Sequence, residues 1–250
     1  TQDHERVNFE AEVASTLQRD FNSSVLLDDG GRITAFYHKM RLVPFSEYFP
    51  LDKGKFAALY AVFQKYDISD WDVGTQRTVY EHPKLRFLTP ICFEDVFADH
   101  VRRFVAQGAD LILNMSNDYW SLSPVEGRQH GVHALFRAVE NQRPLLRTTC
   151  SGYTVYVDAT GEIQPGSPQP YTPGYVIARV PLPSAGDLPL TLYTRWGDWF
   201  PLTCAVVLAA AGLTVGLALG ARRAWRRRCE TGFATGSGSW IHSSRASLGK

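Results

Sequence analysis

The chain has 250 residues, enough for one large domain or for a smaller domain with an appendage, so size does not limit the core it can bury. A formal charge of +1, spread along most of the sequence, excludes the broad basic face of a nucleic-acid binder. Four cysteines at positions 92, 150, 204 and 229 have no paired spacing, no CxxC and no metal-type histidine cluster, so neither a disulfide framework nor a metal site is expected, and no cofactor is implied.

In chain order, Ser24 to Leu27 and Ile33 to Tyr37 read as two strands joined by the tight turn Asp28-Asp29-Gly30-Gly31, and Lys39 falls just beyond the second. Residues 50–83 mix aromatics, charges and glycines and fit no periodic element. A stretch this long is read either as a mobile, lid-like insertion or as a small satellite subdomain. Lys84 to Ile91 is β-prone, and Val96, Phe97, Val101, Phe104 and Val105 mark a helical face ending at Gly108, which puts Cys92 at a strand-to-helix junction. LILNM at 111–115 reads as a buried strand, Arg128 to Asn141 as a helix, Leu145 to Cys150 and Tyr153 to Val157 as strands, and Tyr175 to Val180 as a last strand. Such alternation predicts an α/β domain with its sheet covered by helices.

Phe200 to Leu219 is uncharged throughout and long enough to cross about 30 Å of hydrocarbon. Tyr193, Trp196 and Trp199 precede it and Arg222, Arg223, Arg226, Arg227 and Arg228 follow, the distribution of an interfacial aromatic belt and a cytoplasmic arginine cluster. Residues 1–192 are therefore expected to be extracytoplasmic, 193–221 to be a transmembrane helix with its flanks, and 222–250 to be a basic, Gly/Ser-rich cytoplasmic tail. Gly212, Gly216 and Gly220 share one face of that helix, which reads either as a packing face for other helices or as ordinary glycine enrichment.

A cysteine beside a helix start and a cation is stabilised as thiolate, and Cys92 has the first by sequence and could gain Lys39 by folding. Taken alone, the same residue reads as a small buried apolar side chain. The words around it add more: YHKMRLVPFSEYFP at 37–50, TPICFEDVF at 89–97, LILNMSNDYW at 111–120, the stretch from QHGVHALFRAVEN through CSGYTVYVDATGEI, and TRWGDWF before the apolar run. Together they resemble apolipoprotein N-acyltransferase, a bacterial membrane enzyme family carrying a nitrilase-type (carbon-nitrogen hydrolase) domain.

The resemblance implies an αββα sandwich followed by one C-terminal transmembrane helix, with a Glu-Lys-Cys triad. By it Cys92 is the nucleophile, Lys39 the triad lysine and Glu47 an additional active-site glutamate. Phe93 would supply an oxyanion N–H, Glu94 either positions the site or only favours the helix dipole, and Asn117, Asp118 and Trp120 form a loop near the substrate. The implied reaction moves an acyl chain from a phospholipid donor, through a thioester on Cys92, to the N-terminal amine of a diacylglyceryl-cysteine lipoprotein at the periplasmic side of the inner membrane. His130, His133, Arg137 and Glu140 share a helical face and read as a packed polar seam rather than a metal site.

The implied triad glutamate lies on an early strand well before the lysine, behind a bundle of membrane helices. Glu5, Glu10 and Glu12 do not fit that place, so the sandwich is expected to be incomplete at its N-terminus and the chain to be a fragment with reduced or no activity. Two other readings stand beside the acyltransferase: a membrane-tethered amidase of the same superfamily, and a non-catalytic interaction fragment.

Overall fold

The computed structural model describes residues 2–6, 18–65, 69–181 and 188–234. The sequence divides into two units, residues 1–197 and residues 198–250.

In the first unit, β1 (Gln2–Arg6), β2 (Gln18–Leu27) and β3 (Ile33–His38) form an antiparallel sheet in that order. The β2–β3 turn is closed by Asp28, whose Oδ1 accepts from the N–H groups of Gly30 and Arg32, so the Asp-Gly signal works through local hydrogen bonds. Residues 50–83 contain α1 (Ala57–Lys65) and β4 (Tyr80–His82). No residue of α1 is buried, but Tyr60 and Phe63 pack at steep angles against the Phe49 ring, each at 5.2 Å between ring centroids, in a small aromatic cluster of their own.

A second, mixed sheet has the order β4-β5-β6-β7-β8, with β5 (Leu85–Leu88), β6 (Leu111–Asn117), β7 (Leu145–Cys150) and β8 (Val155–Val157). The β5–β6 and β6–β7 pairs are parallel, and the outer pairs are antiparallel. Two helices, α2 (Ala98–Ala106) and α3 (Pro124–Asn141), supply Val101, Phe104, Val105, Ala134 and Ala138 to a core shared with Leu88, Ile112, Leu145 and Val157. These are the positions that a period of 3.6 and a buried parallel strand select. The two sheets meet where Ser24 Oγ of β2 bonds the hydroxyls of Tyr80 and Thr89, at 2.7 and 2.6 Å.

The α/β organisation with two sheets is thus present, with differences at the edges. Lys84 to Ile91 is not one strand: β5 stops at Leu88, and Ile91 adds only a bridge to Met115. The helix expected from Arg128 begins at Pro124, because Ser123 caps it and Pro124 is tolerated in its first turn. Tyr175 to Val180 forms no strand. Tyr175 and Ile177 are 80% and 84% exposed, and among the described residues no strand pairs with them to complete a ladder.

Tyr193 and Trp196 belong to a separate short helix, α4 (Leu192–Trp196), capped by Thr191 and held in the first unit by the hydrogen bond from Arg102 to the Thr194 carbonyl. In the second unit α5 (Trp199–Ala234) starts only at Trp199 and carries the arginine cluster inside the helix rather than in a tail. Its Trp199–Arg228 part contains an 18-residue window with a mean hydropathy of 2.3 and is long and apolar enough to cross a membrane. The tail reading beyond Ala234, and Glu10 and Glu12, lie outside the described residues.

Candidate active site

Cys92 follows the carboxyl end of β5 and opens the 3₁₀ turn Cys92–Val96. Its φ of 51° places a non-glycine residue in the left-handed region, a conformation costing about 1 kcal/mol or more that persists only where surroundings enforce it. Asn114 of β6 provides that enforcement: its Nδ2 donates to the carbonyls of Pro90 (3.0 Å) and Cys92 (3.4 Å). Cys92 is half-buried and lines a cavity of about 750 Å³ outside the carboxyl ends of β5 and β6, the usual place for a ligand crevice in a parallel sheet.

Lys39 sits one residue past β3, fully buried, and its Nζ donates to Glu47 Oε1 at 2.7 Å. Glu47 also accepts from Asn22 Nδ2 (3.3 Å) and from the Val43 N–H (2.8 Å), so each of its oxygens has a donor. Both backbone groups of Lys39 are held, its N–H by Asn22 and its carbonyl by Gly74. A Cβ at Gly74 would stand 2.1 Å from the His38 carbonyl oxygen, so only glycine allows that approach. Glu47 lines the Cys92 cavity.

Glu94 is completely buried and ties the two segments together. Oε1 accepts from the Tyr37 hydroxyl (2.7 Å) and from the N–H groups of Met40 (2.8 Å) and Arg41 (3.0 Å), while Oε2 accepts from the Ile91 N–H (2.9 Å). Burial opposes its ionisation, yet the His100 imidazole at 3.3 Å, the Ile91 N–H and the Tyr37 hydroxyl hold its pKa below the ordinary carboxylate value. Burial, with the Glu94 charge second, pushes the Tyr37 hydroxyl up in turn.

The sequence-selected loop divides. Asn117 and Trp120 line the cavity, Trp120 being 70% exposed at its wall, and Phe93 lines it too. Asp118 turns inward, 1% exposed, into a ring of charges that sequence reasoning did not assemble. His130 donates from Nδ1 to Asp118 and from Nε2 to Asp95, both at 3.0 Å, and Arg147 bridges the same two carboxylates. Arg147 Nη1 also donates to Asn114 Oδ1 at 2.5 Å, linking the ring to the residue that holds the Cys92 carbonyl. Burial opposes the charge on His130, but its two carboxylates raise its pKa to about 10, so the ring holds two cations and two anions.

His130 lines the cavity as part of this ring. Arg137 bonds the carbonyls of Asp95 and Val96 and the Glu140 carboxylate, while His133 stays exposed at the cavity wall. Arg147 and Asn114 could have been found as polar residues inside the strand-forming runs LLRTT and LILNM, a pattern that marks a buried polar network. Among the described residues no group of three or more His, Cys, Asp or Glu side chains could hold a metal ion.

The carbon-nitrogen hydrolase family model matches residues 7–189, which include every cavity residue named above. The chain belongs to this family. Among curated relatives, apolipoprotein N-acyltransferase 1 of Treponema pallidum is 38% identical over 202 residues, covering 78% of this chain and 36% of the relative. The protein of the same name from Treponema denticola is 40% identical over 172 residues, covering 69% of this chain and 31% of the relative. The chain thus spans about a third of the length of the curated relatives it matches. A solved carbon-nitrogen hydrolase from Helicobacter pylori aligns with a TM-score of 0.44 and 16% identity, covering 58% of this chain and 51% of that one.

Proposed function

We propose that this chain carries the nucleophile half of an apolipoprotein N-acyltransferase site. What carries the reading is that Cys92, with its left-handed backbone, shares a cavity with Glu47, whose carboxylate holds the buried Lys39, in a chain 38% identical to a relative of that name. A carboxylate takes the Cys92 proton, and the thiolate attacks the ester carbonyl of a phospholipid acyl chain. Lys39 and the backbone N–H of Phe93 stabilise the oxyanion, and the carbonyl re-forms as the lysophospholipid leaves as an alcohol with the proton. The α-amine of a diacylglyceryl-cysteine then attacks the Cys92 thioester, giving an amide and returning the thiol. Glu47 holds the Lys39 ammonium in place.

In this reading α5 crosses the bacterial inner membrane with Arg222–Arg228 cytoplasmic, which leaves residues 1–197 on the periplasmic side. The experiment is to incubate the full-length protein in detergent with phospholipid and analyse the Cys92 peptide by mass spectrometry. An acyl adduct that hydroxylamine removes, and that Cys92→Ala lacks, is expected. Folded protein without the adduct would sink the mechanism, and ammonia release from simple amides without any transfer from phospholipid would favour the tethered amidase.

A further inference from the structure

Glu126 is a second carboxylate on the wall of the Cys92 cavity, and its one ion-pair contact, to His130 at 4.0 Å, brings it no hydrogen bond. It stands three residues after Ser123, the cap of α3, in the Ser-x-x-Glu pattern of a capping box, where the glutamate ordinarily accepts from the cap residue's own N–H. Here that N–H goes instead to Ser121 Oγ at 3.3 Å. The Ser123 half of the box is made, its Oγ accepting from the Glu126 N–H at 3.4 Å, but Glu126 Oε2 has no hydrogen-bond donor. The adjacent cation does not supply one. His130 Nδ1 lies 4.0 Å from Glu126 Oε1, and both His130 ring nitrogens are already spent on Asp118 and Asp95. Glu47, by contrast, has donors on both oxygens.

A carboxylate placed in a largely apolar cavity without a hydrogen-bond donor is matched by a ligand that brings N–H groups and a positive charge. We infer that Glu126 is the binding site for a primary ammonium group in the Cys92 cavity. Two ligands of the proposed reaction carry that group: the α-ammonium of the acyl acceptor and the ethanolamine headgroup of a donor phospholipid. Which end of the reaction the ammonium belongs to rests on the acyl-transfer reading; the site itself does not.

Protection of Cys92 from iodoacetamide, read by mass spectrometry of its peptide in the whole chain in detergent, tests the site without requiring turnover. One pair of probes is an S-alkylcysteine dipeptide with a free α-amine against its N-acetyl form. The other is glycerophosphoethanolamine against glycerophosphoglycerol. At least one charged probe is expected to protect about tenfold better than its neutral or anionic counterpart, the usual weight of one charge-assisted hydrogen bond. The pair that discriminates identifies the source of the ammonium. Glu126→Gln and Glu126→Ala should each erase the discrimination and Glu126→Asp should retain part of it, with circular dichroism reporting the fold of each variant. Equal protection within both pairs, or discrimination that survives Glu126→Gln in a folded protein, overturns the inference. A missing acyl adduct on Cys92 sinks the acyl-transfer reading alone, so the two failures are distinguishable.

Discussion

Glu94 shows how one buried charge can organise a site. Its oxygens hold the N–H groups of Met40 and Arg41, just after Lys39, and of Ile91, just before Cys92, so two loops distant in sequence are fixed against one carboxylate. Glu94→Gln would turn an amide NH₂ toward at least one backbone N–H and should cost about 3 kcal/mol in chemical denaturation. The pH dependence follows from the sign of the shift. A folded-state pKa below 4.5 means that ionised Glu94 adds stability above about pH 4.5, and that this is lost as pH falls through the folded value. The gap between wild type and Glu94→Gln should therefore narrow in acid unfolding below that pH, and a gap constant to lower pH would assign the cost to packing. From the chain alone Glu94 had two equal readings, because Met40, Arg41 and His100 reach it only through the fold.

At the scale of elements, α3 is close-packed against the loop between β7 and β8 through small residues. A Cβ at Gly127 would meet the Gly152 backbone at 3.3 Å, and one at Gly131 the Tyr153 ring at 2.8 Å. Gly152 sits tighter still: a Cβ there would stand 1.9 Å from Asp118 Oδ2, the carboxylate shared by His130 and Arg147. Gly152→Ala should lower stability by about 1–3 kcal/mol through overpacking, while Gly54→Ala, which meets nothing closer than 3.4 Å, should leave the melting temperature near its starting value. Equal melting temperatures for the two variants would show that Asp118 moves aside at little cost. The helices and the central strands were legible in the chain because their apolar spacing is local. The start of α3 was missed by four residues, since Ser123 and Pro124 signal it only when read as a cap, and residues 175–180 alternate like a strand but find no strand partner among the described residues.

For the whole molecule, the Trp199–Arg228 part of α5 should make the chain an integral membrane protein: it should resist alkaline carbonate washing and dissolve in detergent. Replacing Leu208 and Leu213 together by Arg costs about 2.5–3.5 kcal/mol each at a membrane centre and should move the chain to the carbonate-soluble fraction; a double variant that remains in the pellet argues against α5 as the anchor. By itself the sequence determined the apolar span, the α/β alternation and the family words, because each is carried by neighbouring residues or by a short spacing, and the roles proposed for Cys92, Lys39 and Glu47 come from the resemblance those words carry. Only the tertiary structure decided that Asn114 holds the Cys92 carbonyl, that Asp118 turns into the charge ring instead of the cavity, and that Glu126 faces that cavity with an oxygen that has no donor. Those are statements about burial and about which donor each acceptor receives, and both depend on chain segments that meet only when the sheets and helices pack.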